Sequence, residues 1–247
     1  MILETIGRDC LFLNWALPEL ALPELEAPLR YDRHSWQGDD YVFVSAALFR
    51  QQVIDIPKVM FPKVSYPQLS LRLCTLDGDG MPSFFLCTVL LPAWVLPSVR
   101  LVARQQARKG SFSYPAQGAT LSDAALRWCV RSRGKLEVSA TSGASVTGDG
   151  PTLGSWEQTV TYFQRRKRWY FDASDGLRRI EVRSRDVEAV PIAAEIADDS
   201  LLASCMGGAQ GSWPTLHSSW LSPEIPFVFE VGWAQDRPMP RHVPAPG

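Results

Sequence analysis

Arg72 is the residue whose type and position most directly indicate chemistry. It lies in a stretch at 69–75 where Leu69, Leu71 and Leu73 alternate with other residues, which predicts a strand with Arg72 on the face opposite the leucines. If that face lines the interior of a closed sheet, the guanidinium can bind a carboxylate through two parallel hydrogen bonds. If it meets water, the arginine needs no special role, and the rarity of buried charges favours this second interpretation.

Two further basic features are candidates for chemistry. Lys109 follows Arg108 near the end of a predicted helix at 97–106, and a lysine beside another cation in an apolar pocket can serve as an amine nucleophile. A solvated helix end explains it equally simply, and we favour that interpretation. The basic run at 165–168 precedes two aromatic residues, as in sites for single-stranded nucleic acid, but a solvated hairpin end is the favoured interpretation.

Metal and cofactor motifs are absent from the sequence. His34, His217 and His242 are widely separated and lack the spacing of metal ligands. The five cysteines are odd in number and contain no Cys-x-x-Cys pair, which argues against a zinc ribbon and a disulfide framework. No nucleophile elbow, phosphate loop or H-E-x-x-H motif occurs. We therefore predict neither a metal nor a cofactor.

Composition narrows the function classes. The formal net charge is -1, so nothing favours nucleic acid or an anionic membrane as a partner. The N-terminal stretch lacks the apolar core of a signal peptide, and no apolar run approaches the roughly 20 residues of a membrane span. Unpaired cysteines suit a reducing compartment. We expect a cytoplasmic protein, and unpaired strand edges make a homodimer possible.

Short apolar runs separated by turns predict a chain made mostly of strands. An Asp-Gly-Asp-Gly turn at 77–80 predicts a hairpin between the strands at 69–75 and 83–91, and Arg133-Gly134 predicts a second between 127–131 and 135–141. Strands are also predicted at 10–15, 41–49, 157–163, 169–172, 177–185, 187–193 and 226–233. Short helices are predicted at 97–106 and 200–206.

These elements predict one domain and a tail. Because the strands come in hairpins and do not alternate with long helices, the natural architecture is a mainly β (α+β) fold. We expect a mostly antiparallel barrel or open sheet that carries two or three short helices. Residues 1–235 form the predicted domain. The tail at 236–247 is rich in proline and is predicted to be flexible.

Six stretches, in order, resemble the uncharacterised bacterial DUF2071 (YqjF-like) family of the acetoacetate decarboxylase-like superfamily. They are LFLNW at 11–15, ALFR at 47–50, YPQLSLR at 66–72, MPSFF at 81–85, YP at 114–115, and the segment 157–170. The resemblance implies a highly curved antiparallel sheet forming a cone-like barrel around a central small-molecule pocket. The decarboxylases of this superfamily form an imine between a pocket lysine and the substrate ketone, and a second lysine activates the first.

The resemblance also implies a loss of that chemistry. The lysine pair matches Ala116 and Gln117 here, so the imine would lack its nucleophile, and a pocket glutamate matches Gln68. Lys109 lies several residues too early to replace the pair. The sequence therefore favours a fold retained without Schiff-base decarboxylase activity.

The leading hypothesis is a protein that binds a small carboxylate- or carbonyl-bearing metabolite in the central pocket. Arg72 is predicted to hold an anionic group, and Gln68 and Tyr114 are predicted to form hydrogen bonds with the ligand. One alternative is a lyase or hydratase that acts through Lys109 or an acid–base pair. A second is a non-catalytic structural or interaction protein whose barrel is filled by side chains, since the chain has nine tryptophans among its large residues.

Overall fold

The computed structural model describes residues 2–55, 64–103, 105–121, 125–143, 151–173, 176–184, 187–206 and 213–231. The strands are β1 (Ile2–Pro18), β2 (Arg30–Tyr31), β3 (Arg33–Trp36), β4 (Asp39–Asp55), β5 (Ser65–Leu76), β6 (Pro82–Leu91), β7 (Arg108–Lys109), β8 (Ser111–Ser113), β9 (Leu126–Arg131), β10 (Lys135–Ser142), β11 (Arg168–Ala173), β12 (Gly176–Ser184), β13 (Val190–Asp198) and β14 (Ser218–Val231). The helices are α1 (Leu96–Ala103), α2 (Trp156–Gln164) and α3 (Ser200–Cys205), and a 3-10 turn lies at Glu19–Ala21. The prediction of a mainly β fold with a few short helices is confirmed.

Seven strands pair in a closed circuit in the order β1-β4-β5-β6-β11-β12-β14, and β14 pairs back onto β1. Strand β1 makes this closure possible because it pairs along most of its length with β4 on one edge and with β14 on the other. A register shift between Arg8 and Leu11, with Asp9 at φ 52°, bends the strand where it pairs with β4. The circuit is antiparallel except between β6 and β11, which agrees with the prediction of a mostly antiparallel sheet.

Ring closure separates two apolar layers. The inner layer takes side chains from all seven ring strands and from α2, among them Phe12, Phe43, Phe84, Trp169 and Trp220. The outer layer includes the leucines of β5, and strands β9, β10 and β13 pack over it together with α3. Strand β13 connects these covering strands to the ring, because it pairs with β14 at Val190 and Pro191.

Some of the predicted hairpins and strands are confirmed and one is wrong. The hairpins β5–β6 and β9–β10 are confirmed, as is the burial of the leucine face of β5. The predicted strand at 157–163 is wrong, because these residues belong to α2. Ser155 caps that helix in a reciprocal pair of hydrogen bonds with Gln158, which satisfies amides that would otherwise lack partners.

The predicted tail at 236–247 lies outside the described residues. Among the helices that are described, none is long and apolar enough to cross a membrane.

The turn between β9 and β10 fits closely against the start of α3. A Cβ atom added at Gly134 would lie 2.7 Å from the backbone nitrogen of Leu201 and 2.7 Å from the carbonyl of Ser200. The Ser200 hydroxyl also accepts a hydrogen bond from the Lys135 amide at 3.0 Å. The packing of the β9–β10 hairpin against α3 therefore depends on glycine at this turn.

We expect Gly134→Ala to lower the free energy of unfolding by about 1–3 kcal/mol, because the backbone of α3 must move to admit the methyl group. Urea unfolding followed by tryptophan fluorescence measures the change. Arg133→Ala is the matched control, since Arg133 is exposed in the same turn. Equal stabilities of the two variants would contradict the close packing.

Candidate functional site

A cavity of about 60 Å³ lies against the inner layer of the ring. It is lined by Phe12, Arg72, Phe84, Phe163, Gln164, Arg166, Trp169, Val182, Ser184, Val187, Trp220, Ser222, Ile225 and Phe227. This space exceeds the roughly 10–15 Å³ that a cavity needs to hold a single water molecule. Its walls are mostly aromatic and aliphatic with a few polar groups, the general character of a small-molecule site.

Arg72 reaches this cavity from the middle of β5 and is only 5% exposed. Its guanidinium carbon lies 4.4 Å from the centre of the Phe84 ring, 5.5 Å from that of Phe12 and 5.8 Å from that of Trp169. The interpretation favoured from the sequence, in which this face meets water, is wrong because closure of the ring turns the face inward. The surrounding rings supply cation–π contacts but no negative charge.

The charge of Arg72 is incompletely compensated. Among the described residues, its hydrogen bonds are limited to one from Nη2 to the Ser45 hydroxyl at 2.9 Å, and its Nε has no partner. No carboxylate among the described residues forms an ion pair with Arg72. Burial lowers the pKa of Arg72 to about 10, so the side chain still carries its charge at neutral pH. A buried cation without a counter-ion is costly, and an anion entering the cavity would relieve that cost.

Arg166 also lines the cavity, but its charge is paired. Its side chain is fully buried and donates to the Asp32 carboxylate, to the Thr75 carbonyl at 2.9 Å and to the Ser83 carbonyl at 3.1 Å. Tyr162 donates to the same Asp32 oxygen at 3.0 Å. The expectation of a solvated basic run is therefore wrong for Arg166, which lies two residues after the end of α2 and points into the ring.

The other polar lining groups were missed from the sequence. Ser184 ends β12 and Ser222 lies within β14, while Gln164 is the last residue of α2 and donates from its side chain to the Val187 carbonyl at 2.9 Å. Two of these elements were misjudged, since α2 was predicted as a strand and β14 was predicted to begin only at residue 226. The capping pair Ser155 and Gln158 was the signal that could have revealed α2.

Gln68 and Tyr114 are brought together, but away from this cavity. Gln68 lies four residues before Arg72 on the same face of β5, roughly 13 Å along the strand. Tyr114 packs on the outer layer and donates from its hydroxyl to the Gln68 backbone carbonyl at 2.8 Å. Neither lines the cavity that Arg72 enters. Their predicted contacts with a ligand remain predictions.

The residues considered for imine chemistry lie outside the cavity. Ala116 and Gln117 are exposed in a turn, and Lys109 is exposed in β7, where its carbonyl accepts a hydrogen bond from Ser132 at 2.8 Å. No lysine is among the described residues that line the cavity.

The two histidines within the described residues also lie outside the cavity lining. His34 forms a hydrogen bond with the Tyr162 hydroxyl at 3.1 Å, and burial lowers its pKa. Burial lowers the pKa of His217 to about 4, so it is neutral at pH 7, and its Nε2 lacks a partner among the described residues. No group of His, Cys, Asp and Glu in the described part of the chain is arranged to hold a metal ion.

Solved structures share this architecture. The enduracididine biosynthesis enzyme MppR complexed with pyruvate matches with a TM-score of 0.58 at 12% identity, over 92% of this chain and 88% of that one. An acetoacetate decarboxylase-like enzyme from Sphingomonas wittichii RW1 matches with a TM-score of 0.54 at 15% identity, over 92% and 90% of the two chains. Acetoacetate decarboxylase from Legionella pneumophila matches with a TM-score of 0.52 at 10% identity, over 93% and 87%.

These matches show that the chain has the acetoacetate decarboxylase-like fold, as predicted. No protein-family model matches the sequence, and no curated protein matches it either. At identities this low the likeness shows the fold alone, so the function must be argued from the cavity.

The buried pair of Arg166 and Asp32 should support one wall of the cavity. We expect Asp32→Ala to lower the free energy of unfolding by about 3–5 kcal/mol, because it leaves a buried guanidinium without its counter-ion. Chemical denaturation measures the loss. Glu19→Ala is the matched control, since it breaks an ion pair with the exposed Arg33 (2.6 Å) and should cost far less. A similar loss in both variants would contradict the buried pair's importance.

Proposed function

We propose that this protein binds a small organic carboxylate in the ring cavity, with Arg72 holding the carboxylate group. The observation that carries the proposal is a buried guanidinium that lines a cavity and forms no ion pair with any described carboxylate. A bound carboxylate would supply the missing counter-charge and accept from donors that Ser45 leaves free.

The cavity walls indicate the size and apolar character of the rest of the ligand. Phe12, Phe84 and Trp169 surround the guanidinium, and Trp220 and Phe227 extend the apolar surface. With a volume of about 60 Å³, the cavity suits an acid of a few carbon atoms. Pyruvate, which is bound in one of the MppR structures, is an acid of this size.

We propose further that the protein lacks Schiff-base decarboxylase activity. The support is the position of Ala116 and Gln117, which stand in a surface turn, and a cavity lining without lysine among its described residues. Lys109 is exposed, so the lyase or hydratase alternative that uses it has no observation in its favour. We keep DUF2071 membership as part of this proposal on the strength of the six sequence stretches.

Gln68 and Tyr114 receive a supporting role in this proposal. The hydrogen bond from the Tyr114 hydroxyl to the Gln68 carbonyl ties the loop after β8 to β5, the strand that carries Arg72. Arg50 ties the same loop to the neighbouring strand β4, because it donates to the Pro115 carbonyl and its guanidinium carbon lies 5.6 Å from the centre of the Tyr114 ring. We expect Gln68 and Tyr114 to help hold β5 in position, and not to contact the ligand in this cavity.

Arg72→Met tests the proposal with little change in side-chain volume. We expect binding of 2-oxobutanoate to weaken about 10- to 100-fold, since charge-assisted hydrogen bonds contribute about 1.5–3 kcal/mol. Stability should hold or rise, because a buried unpaired charge is removed. Isothermal titration calorimetry and urea unfolding measure the two effects.

Arg8→Met is the control for Arg72→Met, since Arg8 forms a partly exposed ion pair with Glu224 at 3.1 Å and does not line the cavity. It should leave binding unchanged. Unaltered affinity in Arg72→Met would overturn the proposal.

Borohydride reduction tests the absence of imine chemistry. Incubation with 2-oxobutanoate and sodium borohydride should leave the protein mass unchanged, because an imine needs an amine within the cavity. Intact-mass spectrometry detects the addition of one ligand. A stoichiometric adduct would contradict the proposal, and its mapping to Lys109 would support imine chemistry at that lysine.

A further inference from the structure

Ser184 is a cavity residue whose hydroxyl has a fixed hydrogen-bonding role. It ends β12, where its register partner on β14 is Phe227, and both residues line the cavity. The Lys167 ammonium lies 2.8 Å from the Ser184 hydroxyl oxygen and 3.2 Å from the Ser184 carbonyl oxygen. Lys167 thus holds the end of β12 by two hydrogen bonds.

The direction of the first hydrogen bond follows from the chemistry of the groups. An ammonium group can only donate, so the Ser184 oxygen is the acceptor. The hydroxyl hydrogen must then point elsewhere, and no described residue accepts it. Ser184 therefore presents a hydrogen-bond donor from the cavity wall.

Ser222 lines the same cavity but presents the opposite character. Its hydroxyl donates to the Glu188 carbonyl at 2.7 Å, which uses its hydrogen. The Ser222 hydroxyl oxygen can then accept further hydrogen bonds but has no hydrogen left to donate. The two serines are alike in size and lie in one cavity, yet only Ser184 has a hydrogen left to donate.

We propose that Ser184 determines specificity by donating to a second oxygen of the ligand, and that Lys167 is the positioning residue that fixes this donor. The inference rests on the proposed function, in which Arg72 holds the carboxylate. It narrows the ligand to small acids with a further hydrogen-bond-accepting oxygen, and it disfavours plain alkanoates. A plain alkanoate would leave the Ser184 hydroxyl without a partner once water is displaced, which costs affinity.

The experiment compares four-carbon acids that differ in whether, and where, a methylene group is replaced by a carbonyl group. Butanoate, 2-oxobutanoate and 3-oxobutanoate are titrated by calorimetry into the full-length wild-type protein. We expect at least one oxo acid to bind about 5-fold more tightly than butanoate, as a single hydrogen bond contributes about 1 kcal/mol. In Ser184→Ala this ratio should fall to near one, while Ser222→Ala should keep it.

Two further variants separate positioning by Lys167 from a general structural effect. Lys167→Arg keeps a donor-only cation and should preserve the ratio, whereas Lys167→Met should reduce it. The ratio between paired ligands is informative because a general loss of affinity affects both ligands equally.

The outcomes distinguish the two proposals. If all three acids bind through Arg72 with equal affinity, the role of Ser184 is overturned and the carboxylate site stands. An equal loss of the ratio in Ser184→Ala and Ser222→Ala would also overturn it. If none of the acids binds, both proposals fail together.

Discussion

Closure of the sheet through β1 is the constraint on which the rest of the structure depends. Because β1 pairs with β4 on one edge and β14 on the other, the first and last described strands become neighbours and the sheet acquires an inside. The alternation of β5 then places its leucines in the outer layer and Arg72 within the ring. A charge that an open sheet would expose to water is buried among aromatic rings.

The cavity contains two arginines in different electrostatic states. Arg166 is held by Asp32 and two backbone carbonyls, so its charge is matched and it serves as part of the wall. Arg72 has only the Ser45 hydroxyl among the described residues, and its charge remains available. Since buried ionic groups are stabilised only when paired, this asymmetry identifies Arg72 as the group that an anionic ligand would meet. Ser184 and Lys167 add a directed donor at the wall.

The sequence predicted those parts of the fold that depend on contacts between residues close together in the chain. The Asp77-Gly78 turn and the leucine alternation were enough for the β5–β6 hairpin. Helix α2 was missed because its β-branched and aromatic residues favour strands, although Ser155 and Gln158 form a capping box. The environment of Arg72 was beyond sequence reasoning, since it requires pairing between strands more than 200 residues apart. The packing of Tyr114 in the outer layer was equally out of reach, because its loop meets residues distant in sequence, as in the hydrogen bond from the Gly118 amide to Asp9.

A crystal structure of the protein with bound 2-oxobutanoate tests the central claim most directly. We expect the ligand inside the ring, with its carboxylate on the Arg72 guanidinium and its carbon chain against the apolar wall that includes Trp220 and Phe227. A ligand bound elsewhere, or one whose carboxylate points away from Arg72, would contradict the claim that the uncompensated charge of Arg72 defines the site.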